Sequence, residues 1–201
     1  MIWGRFMHKN RKPIFGVGIN DHPQSVWVNG KVMKEYQIWT DVLRRCYSEF
    51  ELNRHPTYRG CEASDGFKRF SGFLSWVRDQ IGFCESGWQL DKDILFKNNK
   101  IYSEDTCCFV PPEINGLFVK NNRNRGLLPI GVKKEPKGYS STCKVNKKHH
   151  YLGMFDTVDE AFNSYKEAKE DYIKEVANKW RSSIDNMVYE ALMVYQVEIT
   201  D

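Results

Sequence analysis

Residues 129–180 decide the fold of the C-terminal half, and they read PIGVKKEPKGYSSTCKVNKKHHYLGMFDTVDEAFNSYKEAKEDYIKEVANKW. Three short β-type segments, separated by turn residues, open this stretch: 129–134, 138–145 and 149–155. A long amphipathic helix follows, and it begins with a capping box between Thr157 and Glu160. Three strands and one helix bury both apolar surfaces only when the helix covers one face of the sheet. The stretch therefore predicts a small three-stranded antiparallel sheet plus one helix, with the second face of the sheet open.

Positive charge is concentrated in and just before this sheet. The whole chain carries a net charge of +4, yet residues 120–150 contain nine Lys or Arg and only one acid, Glu135. The tail after Ile184 contains four acids and no Lys or Arg. Such an asymmetry favours a surface that binds an anionic polymer.

Alternation along the strands predicts which basic side chains share the open face. Lys133, Lys144 and Lys147 are expected there, with Tyr139, Thr142, His149 and His150 interspersed. A narrow sheet can enter the major groove of double-stranded DNA, where its side chains reach base edges. The alternative is a small α+β domain whose basic face is only solvated. The full set of candidate DNA contacts is Arg123, Arg125, Lys133, Lys134, Tyr139, Thr142, Lys144, Lys147, Lys148 and His149.

Composition excludes several classes of protein. With 41% hydrophobic and 14% aromatic residues in 201, the chain can bury one or two modest cores. No apolar run approaches the roughly 18 residues of a membrane span. The first 13 residues, MIWGRFMHKNRKP, lack the apolar core of a secretory signal. We therefore expect a cytoplasmic protein without membrane contact or a small-molecule cofactor.

The six cysteines include no CxxC pair, which is the spacing that most zinc sites show. This spacing predicts free, buried thiols. A structural zinc ion held by Cys46, Cys61, Cys84 and Cys107 is the alternative.

The N-terminal part is predicted to begin with irregular structure and two helices, and to continue with two strands and a further helix. Residues 1–35 form a basic arm or irregular strands, and apolar stripes predict helices at 36–47 and 67–81. Residues 88–95 and 107–110 are predicted strands, and the prolines at 111 and 112 suit the start of a helix over 111–122. A short closing helix is expected within 184–201. The fold class is therefore α+β.

The C-terminal stretch resembles the three-stranded DNA-binding domain of plant ethylene-response factors, which also occurs in phage endonucleases and integrases. The matching signature is Gly131-Val132, an aromatic-led second strand at Tyr139, then Tyr151-Leu152-Gly153 with Phe155, and a helix start at 157–165 with a small residue at Ala161. About 50 residues match. The resemblance implies DNA contact through the sheet.

Residues 36–121 resemble the HNH endonucleases of phages, in particular homing-type enzymes with the same C-terminal domain. The resemblance rests on the linear order of six segments: 39–47, 56–60, 67–76, 90–94, 102–107 and 112–115. It implies a ββα-metal (HNH-like) core in which a divalent ion, Mg²⁺ or else Mn²⁺, assists hydrolysis of a phosphodiester. It also implies a location in the host-cell cytoplasm if the chain is phage-encoded.

Asp91 matches the metal-binding acid on the first strand of that family, and Asn115 matches its final asparagine. Two positions depart from the pattern. Lys92 stands where active members have the histidine base, and Thr106 replaces a motif asparagine, although Asp105 is a neighbouring carboxylate. The candidate catalytic residues are Asp91, Lys92 and Asn115.

A lysine with the ordinary pKa of about 10.4 is a poor base, so Lys92 needs burial or a metal to lower its pKa, or else contacts phosphate. The period of two along a strand places Asp91 and Asp93 on one face, where they would hold a divalent ion together with Asp105. The alternative is that these acids are exposed and paired with lysines.

Two functions remain open at this stage. One is a sequence- or site-directed DNA endonuclease with an HNH-like nuclease domain at 1–121, a linker at 122–128 and a DNA-binding domain at 129–201. The other is a degenerate relative that binds DNA without cutting it and acts as a regulator or architectural factor. A third interpretation, a module that mimics or blocks a host nuclease, has only the acidic tail in its favour.

Overall fold

The computed structural model describes residues 12–119 and 128–200. Their contacts separate an N-terminal unit that ends at Val110 from a C-terminal unit that starts at Pro111. Residues 1–11 of the predicted basic arm and the linker residues 122–127, with the candidate DNA contacts Arg123 and Arg125, lie outside the described residues. Both units mix helices with small sheets, so the predicted α+β class is confirmed for the part of the chain that the structure describes.

The first unit is built on two amphipathic helices at the positions where apolar stripes predict them. Its elements in chain order are β1 (Trp27–Val28), β2 (Lys31–Val32), α1 (Lys34–Tyr47), α2 (Glu49–Arg54), β3 (Glu62–Ala63), α3 (Phe70–Arg78), β4 (Gln89–Asp91), β5 (Ile101–Tyr102) and β6 (Cys108–Val110). A single-turn 3-10 helix also forms at Pro56–Tyr58.

An aromatic cluster holds α1 and α3 together. Trp39, Phe67, Phe70 and Phe73 are fully buried, and the Trp39 and Phe70 ring centroids lie 5.2 Å apart. The indole Nε1 of Trp39 donates a hydrogen bond to the carbonyl oxygen of Phe67 at 2.7 Å, so its one polar atom is satisfied inside the core. Trp39, Phe70 and Phe73 belong to the apolar stripes that predict these helices, so the stripes form the core of this unit.

The strands of this unit are shorter than the sequence predicts. β4 pairs antiparallel with β6, with Asp91 opposite Cys108, but β4 ends at Asp91 rather than continuing to residue 95. Residues 101 and 102, which lie between the two predicted strands, form β5 and pair parallel with β3. β4 ends early because the side chain of Asp91 bonds to the backbone of the loop that follows, as described below.

The second unit has the predicted three-stranded sheet and helix. Its elements are α4 (Pro112–Asn115), β7 (Val132–Glu135), β8 (Gly138–Val145), β9 (Lys148–Phe155), α5 (Val158–Trp180) and α6 (Asn186–Met193), with a 3-10 turn at Gly116–Phe118. The sheet is antiparallel in the order β7-β8-β9. The capping box of Thr157 and Glu160 forms in both directions, and α6 is the expected closing helix.

Helix α4 has its contacts in this second unit, although the sequence resemblance assigns it to the nuclease core. Glu113 accepts hydrogen bonds from Lys179 Nζ at 2.6 Å and from Trp180 Nε1 at 2.8 Å. The hydrogen bond from Lys179, and to a smaller extent that from Trp180, holds the pKa of Glu113 below its ordinary value. Among the described helices, none combines the length and the apolar character needed to cross a bilayer.

Gly131 makes the close contact between the sheet and α5 possible. Its φ of +80° belongs to the left-handed region, and an added Cβ would lie 2.1 Å from Cδ2 of Tyr165. We expect Gly131→Ala to lower the free energy of unfolding of this unit by about 2–4 kcal/mol, because strain and overpacking add. Denaturant titration of the far-UV circular dichroism measures the change.

The matched control is Gly116→Ala, since Gly116 has a right-handed helical φ of −65° and an added Cβ meets no atom within 4 Å. Its free energy of unfolding should stay within about 0.5 kcal/mol of the wild-type value. Equal losses in both variants would contradict the packing argument.

Candidate nucleic-acid interface

The register of the second sheet defines which side chains share its open face. Directly paired residues in an antiparallel sheet project to the same face. Lys133 pairs with Ser140, and Ser140 with Met154; on the far side of the bulge Thr142 pairs with Tyr151 and Lys144 pairs with His149. Strand alternation joins these pairs into one surface, since Ser140, Thr142 and Lys144 are two residues apart along β8. We call the surface of these seven residues the open face: Lys133, Ser140, Thr142, Lys144, His149, Tyr151 and Met154.

The opposite face is the one that α5 covers. Val132, Ser141 and Cys143 lie on it and are buried at 8%, 0% and 1% exposure. Because α5 packs on this face, it leaves the open face uncovered. Tyr151 and Met154 are accordingly 64% and 47% exposed.

A bulge in β9 brings two side chains to the open face that simple alternation would separate. Pairing shifts between Ser141 and Thr142, so that Gly153 and Tyr151 follow one another in register and Leu152 is the extra residue. Tyr151 and Met154, an odd and an even position, then share one face. Sequence analysis names neither as a DNA contact, because a bulge leaves no clear mark on the hydrophobic pattern.

Some of the predicted contacts lie elsewhere on the sheet. Tyr139, Lys134 and His150 belong by register to the side that α5 covers. The Nζ of Lys134 lies 4.0 Å from the centre of the Tyr139 ring, a cation–π contact between paired strands. Lys148 pairs with Val145 and follows the same side. These side chains therefore border the open face rather than form it.

Lys147 lies in the two-residue turn that joins β8 and β9. Asn146 and Lys147 have φ values of 50° and 65°, which is the pattern of the type I′ turn that suits a twisted hairpin. Tyr172 on α5 fixes this turn: its hydroxyl accepts from Asn146 N at 3.1 Å and donates to Asn146 Oδ1 at 3.2 Å. The turn therefore holds the Lys147 charge at the end of the sheet in a fixed conformation.

The open face is cationic with one acid at its edge. The Nζ of Lys133 lies 2.9 Å from Oε1 of Glu135, and the hydrogen bond from Lys133 lowers the pKa of Glu135. Lys144 is exposed beside exposed His149. A surface of this kind attracts phosphate groups and presents hydroxyl and aromatic groups between the charges.

The candidate nuclease centre is a loop whose polar side chains bond to the backbone of the loop itself. Asp91 ends β4, and its Oδ1 accepts hydrogen bonds from the backbone amides of Asp93 at 2.7 Å and Ile94 at 2.9 Å. Burial is the larger influence on its pKa and raises it above the ordinary value of 3.8, while these two amides act in the opposite direction. Asp91 thus fixes the turn after β4 as an Asx-type cap.

Lys92 is buried at 6% exposure. Its Nζ donates to Asp93 Oδ1 and to the carbonyl oxygen of Asn99, both at 2.6 Å, and lies 5.7 Å from the centre of the Tyr102 ring. Asn99 in turn donates to the carbonyl oxygens of Lys92 at 2.9 Å and Ile101 at 2.6 Å. A lysine whose protons are used in this way is a cross-link of the loop.

The paired carboxylates predicted from alternation do not form on one strand. The strand ends at Asp91, so the period of two does not extend to Asp93, whose carboxylate binds Lys92. Asp105 lies exposed in a turn. Next to it, the hydroxyl of Thr106 donates to the carbonyl oxygen of Ile101 at 2.7 Å, a structural bond within the turn.

A divalent ion needs several oxygen donors close together. Within residues 12–119 and 128–200, no group of three or more His, Cys, Asp or Glu side chains is arranged to hold a metal. Asp91, Asp93 and Asp105 therefore do not by themselves make such a site there. Asn115, the other motif residue, belongs to the second unit.

All six cysteines are free thiols, and all except Cys84 are buried. Burial raises the pKa of Cys46 to about 12 and that of Cys107 to about 12. At neutral pH these side chains are therefore protonated and pack as small apolar groups.

Comparison with known proteins returned no match. No protein family model, no curated protein sequence and no solved structure matches this chain.

The geometry of Asp91 leads to a prediction about stability and pH. Asp91→Asn keeps the oxygen that caps the turn and removes the cost of a buried charge, so its free energy of unfolding at pH 7 should equal or exceed that of wild type. Asp91→Ala leaves two amides without their acceptor and should lower the free energy by about 1–3 kcal/mol. Denaturant titration measures both.

The pH dependence follows from the sign of the shift. A carboxyl group with a raised pKa in the folded state stabilises the fold below its unfolded pKa, and this stabilisation is lost as the pH rises through the folded pKa. As the pH falls from 7 towards the ordinary aspartate value of 3.8, the free energy of unfolding of wild type should therefore rise relative to that of Asp91→Asn. Parallel plots of unfolding free energy against pH for the two proteins would show that burial does not shift the pKa of Asp91.

Proposed function

We propose that this chain binds double-stranded DNA through the open face of the β7-β8-β9 sheet. The observation that carries the proposal is the register, which gathers Lys133, Lys144, His149 and Thr142 on the one face that α5 leaves uncovered. A three-stranded sheet is narrow enough to enter the major groove, which is about 12 Å wide. No membrane or small-molecule partner is part of the proposal.

Each type of side chain on the open face has a role in such a complex. Lys133, Lys144 and, from the turn, Lys147 neutralise phosphates and release counterions, which gives affinity without sequence preference. The hydroxyl groups of Thr142 and Tyr151 donate to or accept from base edges, and the apolar Met154 suits the methyl group of thymine. The resemblance to ethylene-response-factor domains supports the same face.

The charge outside the face supports the proposal as well. Arg123 and Arg125 precede the sheet in the sequence, and with Lys134 and Lys148 they are proposed contacts to the phosphates that flank the site. These are positioning contacts rather than base contacts. Lys134 and Lys148 border the open face, so they extend its cationic surface.

Charge on the open face should set both the affinity for DNA and its salt dependence. The double variant Lys133→Gln and Lys144→Gln should weaken DNA binding and reduce the slope of log affinity against log salt by about 2, because two phosphate contacts are lost. Fluorescence anisotropy with a labelled duplex at several salt concentrations measures both quantities. Lys174→Gln is the matched control, since Lys174 lies on α5 and pairs with Asp171 at 3.6 Å.

A second variant separates charge from stability. Lys147→Gly removes a charge at a position with φ of +65°, where glycine is unstrained. Its free energy of unfolding should stay equal or rise, while the salt slope falls by about 1. Unchanged affinity and slope in the double variant, with the control also unchanged, would refute binding through the open face.

The first unit raises the second candidate function, a metal-dependent endonuclease of the phage HNH type. The order of β4, loop, β6 and α4, with Asp91 at the end of the first strand, favours it. Mg²⁺ or Mn²⁺ is the ion that this hypothesis requires, and Asp91 with DNA phosphates would have to hold it, as is common for Mg²⁺. Asn115 is the remaining motif residue.

The contacts of Lys92 favour binding over cleavage. A general base must be able to accept a proton from water, yet the ammonium of Lys92 donates to Asp93 and Asn99 and is buried. We infer a DNA-binding protein with a nuclease-like core that has lost cleavage, acting as a regulator or architectural factor.

A plasmid assay decides between these two functions. The protein is incubated with supercoiled plasmid and Mg²⁺ or Mn²⁺, beside Asp91→Asn, which keeps the fold of the turn where Asp91→Ala would not. We expect salt-sensitive gel shifts and no nicked or linear product from either protein. Nicking by wild type that disappears in Asp91→Asn would establish the endonuclease instead.

A further inference from the structure

A groove of about 770 Å³ lies within the second unit, along the edge of β8 that β7 leaves uncovered. β7 pairs with β8 only as far as Ser141, and the amide of Thr142 donates to the carbonyl oxygen of Gly131 at 2.9 Å. Beyond that point the groove lies between α5 and the segment of α4 and its 3-10 turn. Ligand pockets of about 300–1,000 Å³ accept small organic molecules, so the groove is large enough for one.

One part of the lining is apolar and aromatic. Leu117, Ile130, Tyr165 and Tyr172 contribute to it. Tyr172 already uses its hydroxyl on Asn146, so its ring faces the groove with the polar end occupied. Such a wall suits a planar apolar group.

The other part is cationic. Lys144, Lys147, Lys169 and His149 line the groove, whereas the acid Glu113 at its rim is already bonded to Lys179 and Trp180. The charge that remains for a ligand is therefore positive. A ligand that joins a planar apolar group to an anion complements both walls.

Lys169 is the residue that sequence analysis misses. It stands four residues after Tyr165 and four before buried Ile173, so it occupies the buried face of α5 at helical spacing, and that spacing is the signal. Its Nζ lies 5.9 Å from the centre of the Tyr172 ring. Burial lowers its pKa, with Cys143 acting weakly in the other direction.

Among the residues that the structure describes, no carboxylate forms an ion pair with Lys169. An ammonium group that is partly removed from water and lacks a counterion is stabilised when an anion binds beside it. Tyr165 and Tyr172 lie four and three residues away from Lys169 along α5, so the same helix supplies the aromatic wall and the charge.

We propose that this groove binds a nucleoside phosphate, with the phosphate at Lys169 and the base against Tyr165 and Tyr172. This goes beyond DNA binding by the open face, because Lys169 and the two tyrosines lie on α5. The nucleotide is either free or part of a DNA strand, and Lys144 and His149 line the groove as well as the open face, so a strand on the sheet passes the mouth of the groove.

The experiment titrates 2′-deoxyadenosine 5′-monophosphate into the full chain by isothermal calorimetry. Lys169→Met keeps the length of the side chain and removes the charge, and we expect it to raise Kd at least about tenfold. Lys174→Met on the same helix should leave Kd within about twofold. Thermal unfolding of each variant confirms folding, and Lys169→Gln serves if Lys169→Met aggregates.

Two further arms test the ligand chemistry on wild type. Deoxyadenosine without phosphate should bind at least about tenfold more weakly than the monophosphate. A single-stranded oligothymidylate that displaces the monophosphate assigns the groove to a nucleotide within a strand, and undisturbed binding assigns it to a free nucleotide.

Three results would overturn the proposal: no binding of the monophosphate to wild type, equal Kd for wild type and Lys169→Met, or equal Kd for nucleoside and nucleotide. Lys133→Gln separates this site from the open face, since Lys133 is outside the groove. It should weaken duplex binding while the Kd of the monophosphate stays unchanged.

Discussion

Packing of α5 on one face of the β7-β8-β9 sheet is the constraint on which the second unit depends. Small residues allow the close approach: Ala161 and Ser141 are fully buried and Cys143 is 1% exposed, while Gly131 has its Cα against the Tyr165 ring. A three-stranded sheet has only two faces, so a helix on one leaves the other to solvent or to a ligand. The chemistry of that second face then decides what the unit binds.

The same packing explains why binding groups lie in two places. Side chains that point away from α5 build the open face, and those of α5 that extend past the β7 edge reach the groove. Lys144 and His149, paired across β8 and β9, line the groove as well as the open face. One short stretch of strand therefore links the proposed duplex surface to the proposed nucleotide site.

Much of the second unit follows from the sequence because its signals are local. Alternation predicts the strands, and the capping box of Thr157 and Glu160 predicts the start of α5. The helix α6 lies within 184–201, where a short closing helix is expected. The register was not predictable in the same way. The bulge at Leu152 depends on pairing between strands, and it moves Tyr151 and Met154 onto the open face while Tyr139 and His150 fall on the other side.

The first unit shows the limit of motif reasoning more clearly. Matching positions in order places Asp91 and Lys92 where a nuclease keeps its acid and its base, but it cannot reveal what those side chains bond to. In the structure Asp91 caps a turn and Lys92 ties that turn to Asn99, so loop residues 91–102 are held by their own polar groups. Lys92 could act as a base only by giving up a proton that it donates to Asp93 or Asn99, whereas Asp91 uses only Oδ1 on the two amides. Losing such a bond costs about 1–3 kcal/mol for each buried group left unsatisfied. Under the proposed function the loop keeps these bonds, because DNA binding without cleavage does not require Lys92 to release a proton.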